Sequence, residues 1–237
     1  MNMTTTHRIA AASMAGAATL AIAGFTALGS IFEYPQILEA PTTEILAAYA
    51  ENQAAITGWF LVLTIGAALL APIGVLLGRI AGGPIGRWIA GVAIAGATVQ
   101  VVGLSRWVLL IPGISNDAAV PALAADARHT FGLLHFWLGT IVGETIGYAL
   151  TATFTVLVVV ALSGSVAPRL IGYLGYVSAA LIATGVAIPL GLGAAGLSNF
   201  AGYVAWCLWL IAMAVVLWRV RPAATTSPTV ATLHAAR

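Results

Sequence analysis

The chain has 237 residues, of which 61% are hydrophobic and only 7% are charged, and its mean hydropathy is +1.03. Soluble domains carry about 25% charged residues, so this composition excludes a soluble globular protein and indicates one embedded in a lipid bilayer. The formal net charge of +2 gives no argument for binding nucleic acid, and we expect no such partner.

Six apolar stretches are long enough to cross the hydrocarbon core as helices, which takes about 20 residues each. They are continuously apolar and do not alternate with period two, which excludes a barrel. We therefore predict an all-α fold, with one six-helix transmembrane domain over 1–221 and a disordered cytoplasmic tail over 222–237 that is rich in Ala, Thr and Pro. The predicted spans are residues 8–31, 53–78, 86–112, 131–161, 169–192 and 197–219.

The first stretch also allows a second interpretation. It has a basic flank at Arg8, a long apolar run and small residues at Ala27, Gly29 and Ser30, which are features of a signal peptide. The apolar run is longer than a usual signal core, which favours a span. Cleavage would leave five spans and a mature N-terminus outside.

The charged residues predict the orientation of the bundle. The chain has no lysine, and its arginines concentrate in the segments that a six-helix path places on one side. Six of the seven acidic residues fall in the first and third loops on the other side, where Arg128 is the only cation. The positive-inside rule then puts both termini in the cytoplasm, and we expect a multi-pass protein of the plasma membrane. The inner arginines are Arg8, Arg79, Arg87, Arg169, Arg219, Arg221 and Arg237, and the outer acids are Glu33, Glu39, Glu44, Glu51, Asp117 and Asp126.

The first outer loop contains a segment typical of a short helix, TTEILAAYAE at 42–51. Its leading threonines offer an N-cap, and Glu44 would lie in the first turn. Ile45, Leu46 and Tyr49 share one face at helical spacing. We predict an interfacial helix lying on the outer leaflet.

Two ionisable residues lie inside apolar stretches, Arg106 in the third and Glu144 near the middle of the fourth. A charged side chain at the bilayer centre costs roughly 2.5 kcal/mol or more to insert, so each needs a partner. Their depths differ by roughly the reach of an arginine side chain. We therefore predict an ion pair, with Tyr148 or Gln100 as further partners. The alternative is that Arg106 snorkels to the outer headgroups and that Glu144 is protonated.

The fourth stretch carries a polar stripe beside a ridge of glycines. At 100° per residue, a helix places four polar residues on the face of Glu144. The neighbouring glycines recur every fourth residue, a spacing that lets another helix approach closely. His135 is nine residues before Glu144 and would project from the opposite face. The stripe consists of Thr140, Tyr148, Thr151 and Thr155, and the ridge consists of Gly139, Gly143 and Gly147.

Several kinds of site are excluded by the residues present. The absence of lysine excludes a Schiff base, and the chain has no HExxH, no CxxC and no Gly-rich phosphate loop. A di-iron site needs several buried carboxylates, and a bis-histidine haem needs two intramembrane histidines. We therefore expect no metal and no cofactor. The single cysteine, Cys207, cannot form an intramolecular disulfide, and we expect it to pack as a small apolar residue.

Four segments resemble a bacterial membrane-protein family that is catalogued only as domain of unknown function 4386. They are FEYPQIL at 32–38, GLSRWVLLIP at 103–112, LHFWLGTIVGETIGYALTATFT at 134–155 and PRLIGYLGYV at 168–177. The resemblance runs from about residue 8 to 219, and GETIGY is its most specific part. It implies six membrane helices and no established activity. Carried over to this chain, it singles out Glu33, Tyr34, Pro35, Arg106, Trp107, His135, Gly139, Gly143 and Glu144.

Three functions are compatible with these residues. The first is binding or transport of a small or amphipathic ligand, or of a lipid, at a buried centre, because intramembrane ionisable groups mark functional sites. The second is a membrane enzyme acting on a lipid or isoprenoid, with Glu144 as general acid or base. The third is a non-catalytic partner or sensor subunit, and the sequence does not indicate its oligomeric state. The predicted centre comprises Arg106, Glu144, Tyr148, Gln100, Thr140 and Thr151, with Glu33, Tyr34 and His135 as secondary candidates.

Overall fold

A computed structural model describes residues 2–220 of the chain, and this part is all-α. Six of its helical segments are long and apolar enough to cross a membrane, which confirms the predicted six-helix fold of a multi-pass membrane protein. The predicted tail over 222–237 lies outside the described residues. The first to sixth spans are Met3–Phe32, Gln53–Ala81, Gly83–Ala118, Ala124–Leu162, Arg169–Leu190 and Ala194–Arg219.

The spans and loops are built from α-helices joined by shorter helical pieces. A π-helix at His135–Ile146 lies within the fourth span, and 3₁₀-helices form at Gln36–Glu39 and Thr184–Leu190. The α-helices are α1 (Met3–Phe32), α2 (Thr42–Glu51), α3 (Gln53–Ala68), α4 (Leu70–Ala81), α5 (Gly83–Leu109), α6 (Ile111–Ala118), α7 (Ala124–Leu134), α8 (Gly147–Leu162), α9 (Arg169–Ala183) and α10 (Gly193–Arg219).

Prolines explain where the second and third spans are interrupted. Pro72 and Pro112 have no backbone N–H to donate four residues back, so the helices break at Leu69 and Leu110. The third span was predicted to end at Pro112, but α6 continues it to Ala118. Proline is well tolerated in the first turn of a helix, and Pro112 occupies that position in α6.

The six spans form a closed ring in sequence order. Each span packs against its neighbours along the chain, and α1 packs against α10. The connection between α4 and α5 is a single residue, Gly82. Its φ of 68° and that of Gly83, 57°, lie in the left-handed region that glycine adopts without a steric penalty. This tight reversal keeps α4 and α5 in contact along their length.

The interior contains two apolar clusters. The larger contains Met14, Leu77, Phe154 and Trp209, and the smaller contains Phe32, Phe60, Trp107 and Phe131. In the smaller cluster, Phe60 and Trp107 stack with ring centroids 4.7 Å apart.

The boundary between the clusters can be located along two spans. In α5 the larger cluster reaches Ala97 and the smaller one includes Trp107, while the fourth span contributes Ala152 to the larger and Phe131 to the smaller. The residues between these positions include Arg106 and Glu144. The two buried ionisable groups therefore lie in a layer between the apolar clusters.

The short helix α2 forms over the predicted residues but packs differently from the prediction. Its apolar face does not lie on the leaflet, because Ile45, Leu46 and Tyr49 are buried in the smaller cluster. The Tyr49 hydroxyl bonds Thr57 Oγ1 at 2.6 Å and donates to the carbonyl of Trp107 at 3.3 Å. Burial raises the pKa of Tyr49, and the bond to Thr57 opposes that shift. The helix also has no threonine cap, since Thr42 is already helical.

Candidate functional site

The fourth span changes its winding where it carries Glu144. His135–Ile146 form a π-helix, in which Thr145 Oγ1 also donates to the carbonyl of Thr140, five residues back, at 2.8 Å. A ladder of bonds five residues apart puts more residues in each turn than an α-helix has, and such turns occur frequently at functional sites. The prediction that His135 projects from the face opposite Glu144 assumed α-helical winding, which this segment does not have.

The glycine ridge confirms the predicted close approach of another helix, which is α5. A Cβ at Gly143 would lie 2.9 Å from the Cα of Gly103, and one at Gly147 would lie 3.1 Å from Gln100 Cγ. A Cβ at Gly139 would lie 2.6 Å from Nη2 of Arg106. Each glycine thus faces one residue of α5, and the absence of side chains creates the space that the Arg106 guanidinium occupies.

Arg106 is buried in this space, with 4% of its surface exposed. Its guanidinium donates to the carbonyl of Gly103 and lies 5.3 Å from the centroid of the Trp107 ring. A cation over an aromatic face is attracted by the ring quadrupole, by about 2 kcal/mol when desolvated. The arginine therefore does not snorkel to the surface.

Arg106 and Glu144 do not form the predicted ion pair. Across residues 2–220, no arginine nitrogen lies within 4.0 Å of a carboxylate oxygen. The guanidinium is directed toward Gly103 and Gly139 instead, although the two charges remain close enough to act on each other electrostatically. Two opposite charges in a poorly solvated layer therefore lie near each other without contact.

Tyr34 reaches this layer from the turn after α1. Glu33 adopts a left-handed conformation with φ 51°, and the chain then reverses so that the Tyr34 ring packs 5.7 Å from Phe25 and 5.2 Å from Phe60. Burial raises the pKa of Tyr34, the Glu144 carboxylate raises it further, and the Arg106 guanidinium opposes the shift. The Tyr34 hydroxyl is therefore near both charged groups.

Tyr148 completes the group. It lies within electrostatic range of Tyr34, Arg106 and Glu144, and its ring meets Tyr203 of α10 edge-on, with centroids 5.6 Å apart. We call Tyr34, Arg106, Glu144 and Tyr148 the polar centre. They come from the turn after α1, from α5 and from the fourth span, so the fold assembles them from segments far apart in sequence.

The other polar residues of the predicted site are satisfied by their own contacts. Gln100 Nε2 donates to Thr151 Oγ1 at 2.6 Å, and that hydroxyl donates to the carbonyl of Gly147 at 2.8 Å. Thr155 donates to the carbonyl of Thr151 at 2.8 Å and accepts a bond from the indole of Trp206 at 2.9 Å. These residues connect α5, α8 and α10 through hydrogen bonds among themselves, so we do not include them in the polar centre.

Three further candidates lie at the edge of the polar centre or outside it. The ring of His135 stacks on Phe131 with centroids 5.6 Å apart, and its Nδ1 is enclosed without a hydrogen-bond partner in the described residues. Thr140 contributes its backbone carbonyl to Thr145. Glu33 is exposed and shapes the turn through its backbone.

The oxygen atoms of the centre, from Tyr34, Glu144 and Tyr148, are both unpartnered and accessible. Within residues 2–220, the Glu144 carboxylate and the hydroxyls of Tyr34 and Tyr148 form no hydrogen bond. In this part of the chain, the side-chain atoms that are fully enclosed and have no hydrogen-bond partner are His135 Nδ1 and Trp209 Nε1. The oxygens of the polar centre are not among them. The oxygens of the polar centre therefore keep some accessible surface. Since buried polar groups are almost always hydrogen-bonded, this accessible set is suited to a polar molecule.

Sequence reasoning missed the contribution of the sixth span. Asn199, Tyr203 and Trp206 recur at helical spacing and face the fourth and fifth spans. Asn199 is 5% exposed and donates to the carbonyl of Ile182 at 2.8 Å. The sixth span was predicted to begin at residue 197, but α10 already begins at Gly193. The signal that could have indicated this inward face was an asparagine within the last apolar stretch, Asn199, seven residues before Trp206.

Comparisons with protein families, with curated proteins and with solved structures give no significant match. The resemblance to domain of unknown function 4386 therefore stays a prediction, and the function has to be argued from the geometry of the site.

Proposed function

We propose that this plasma-membrane protein binds or transports a small polar ligand at the polar centre. The observation that supports the proposal is the convergence of a guanidinium, a carboxylate and two phenol hydroxyls on one layer. The oxygens of Tyr34, Glu144 and Tyr148 have no hydrogen-bond partner in residues 2–220 and remain accessible. An intramembrane group that is costly to bury and unsatisfied by its own protein indicates a binding role.

The charges of the centre limit the chemistry of the ligand. Arg106 offers donors and Glu144 offers acceptors, and the two are not in contact with each other. A ligand that presents a donor to the carboxylate and an acceptor to the guanidinium would satisfy both. Such a ligand is zwitterionic or is uncharged with several hydrogen-bonding groups.

The size of the ligand is limited by packing. Two cavities in the described residues are lined by residues from α8 to α10, and neither is lined by a residue of the polar centre. A bulky lipid tail would require side chains of the centre to move. Of the ligands predicted from the sequence, a small molecule about the size of a lipid headgroup therefore fits best. The alternative, a membrane enzyme with Glu144 as general acid or base, would take its second acid–base group from the hydroxyl of Tyr34 or Tyr148.

The test is to identify what co-purifies with the protein. The full-length protein is extracted in mild detergent, and small molecules released from it are quantified by mass spectrometry. We expect a polar compound at near-stoichiometric level, reduced about tenfold or more in Glu144→Gln and in Arg106→Gln, because a hydrogen bond to a charged group contributes about 1.5–3 kcal/mol.

The matched control is Thr153→Val. Thr153 lies on the same span, is exposed, and bonds its own helix at the carbonyl of Ala149. This variant should retain the compound at the wild-type level. Identical small-molecule profiles for folded wild type, Glu144→Gln and Arg106→Gln would contradict the proposal.

A further inference from the structure

A second polar site lies at the opposite end of the bundle, where the fifth span begins. A cavity of about 200 Å³ is lined by Ser163, Arg169, Gly172, Tyr173 and Tyr176. None of these residues belongs to the polar centre, so the site is independent of the function proposed above.

The local sequence explains why the cavity forms. Arg169 is the first residue of α9, and Gly172, Tyr173 and Tyr176 follow it at spacings of three, four and seven, so all four share one face. The hydroxyl of Ser163 lies against Gly172, at the place where a Cβ would clash. A side chain at this position would fill the floor of the cavity.

The turn before α9 holds the serine in place. Gly164 has φ 80°, a left-handed conformation, and its N–H donates to the carbonyl of Ala167 at 2.7 Å. The tight turn brings Ser163 back over the first turns of α9. The Ser163 hydroxyl and the Arg169 side chain therefore line the same cavity, beside the N-terminus of α9.

The electrostatics of this end favour an anion. Arg169 is exposed, and no carboxylate oxygen lies within 4.0 Å of it in residues 2–220. Pro168 precedes α9 and provides no side-chain cap, so the N–H groups of Arg169 and Leu170 have no partner in residues 2–220, whereas that of Ile171 donates to the Pro168 carbonyl at 3.0 Å. A helix N-terminus carries a partial positive charge that adds to the charge of the arginine.

The rim of the cavity is suited to a lipid. Leu170 is 79% exposed and Tyr173 is 65% exposed, both at the start of a membrane span. Tyrosines at such positions lie at the level of the headgroups. Val177, 54% exposed, continues the apolar surface toward the membrane interior. A soluble anion would use the cation alone, whereas an anionic lipid would use both the cation and this apolar face.

We propose that this cavity binds the headgroup of an anionic phospholipid. Arg169 and the Ser163 hydroxyl bind the phosphate, the two tyrosines contact the glycerol region, and an acyl chain lies along the exposed face of α9. Basic pockets at the ends of membrane helices recognise anionic headgroups in this way.

The test is native mass spectrometry of the full-length protein in detergent, titrated with phosphatidylglycerol or with phosphatidylethanolamine. We expect the wild type to bind phosphatidylglycerol more tightly and Arg169→Gln to weaken that binding about fivefold, as one cation near the surface contributes about 1 kcal/mol. Arg169→Lys should keep most of the affinity. Ser163→Ala should weaken it less than Arg169→Gln does, with the melting temperature unchanged.

Arg87→Gln is the matched control. Arg87 is exposed near the start of the third span and is followed by an exposed tryptophan, Trp88, but it lines neither cavity. An equal loss in Arg87→Gln and Arg169→Gln would show general attraction to anionic lipid and overturn the proposal. Binding of soluble glycerol 3-phosphate as tight as that of the lipid would also overturn it, in favour of a site for a free anion.

Discussion

At the scale of single residues, the two ionisable groups of the polar centre are not equivalent. Arg106 has a hydrogen bond to Gly103 and the ring of Trp107 beneath its guanidinium, whereas the Glu144 carboxylate has no hydrogen bond within the described residues. Burying a polar group without a partner destabilises the folded state, and a charged group does so more strongly. The arginine therefore contributes to packing, while the glutamate lowers the stability of the resting protein.

This asymmetry predicts opposite effects of two substitutions on stability. We expect Glu144→Gln to raise the melting temperature by about 2–4 °C, because it removes an unpaired charge worth about 1 kcal/mol. Arg106→Met should lower it by at least as much, since it loses two contacts and leaves Glu144 further from any positive charge. Asp126→Asn, an exposed acid on the same span, should change it little. A fall with Glu144→Gln as large as that with Arg106→Met would contradict the structure around the carboxylate.

The burial of these residues was predictable from the sequence, but their contacts were not. An arginine and a glutamate inside apolar stretches are visible in the sequence, and their depths follow from helix geometry. The absence of an ion pair depends on the space that Gly139 leaves for the guanidinium and on the position of the Gly103 carbonyl. Tyr34 was singled out through the family resemblance, because a turn residue cannot be assigned to a buried layer from its own neighbours.

At the scale of elements, the π-helix is the feature that hydropathy could not reveal. The apolar pattern of 131–161 fits a continuous α-helix, and the extra residue per turn becomes visible only in the backbone. The wider winding changes which side chains share a face, so the predicted position of His135 opposite Glu144 rested on a geometry that this segment does not have. The glycine ridge was predicted correctly, because its consequence, close helix approach, depends on the size of the residues and on their four-residue spacing.

The ridge predicts a difference between two glycines that look alike in the sequence. Gly143→Ala should destabilise the protein by about 1–3 kcal/mol, because its Cβ would lie 2.9 Å from the backbone of Gly103. Gly91→Ala, in α5, has nothing within 4 Å of the added Cβ and should be neutral or stabilise by about 0.5–1 kcal/mol. Thermal unfolding in detergent measures both. Equal effects would show that α5 and the fourth span do not pack through the ridge.

At the scale of the whole molecule, the number of spans follows from composition, and their arrangement follows from the loops. Six apolar stretches predict six spans. A single-residue connection such as Gly82 is so short that α4 and α5 have to pack side by side. The closure of the ring, with α1 against α10, is not encoded in any local pattern. It depends on the small residues of both helices and on the shared larger cluster, which no single segment shows.

The orientation of the ring is the last prediction, and the distribution of arginines is its basis. In a Cys207→Ala background, single cysteines at Glu44 and Val120 should react with a membrane-impermeant thiol reagent on intact cells. Cysteines at Pro84 and Ser165 should react only after permeabilisation. All four positions are exposed and lie outside the apolar core of a span, so accessibility of the side chain does not limit the reaction. The positive-inside rule places Arg79, Arg87 and Arg169 in the cytoplasm, beside the second pair. Labelling of Ser165→Cys on intact cells would reverse the orientation, and labelling of all four would show that the reagent had crossed the membrane.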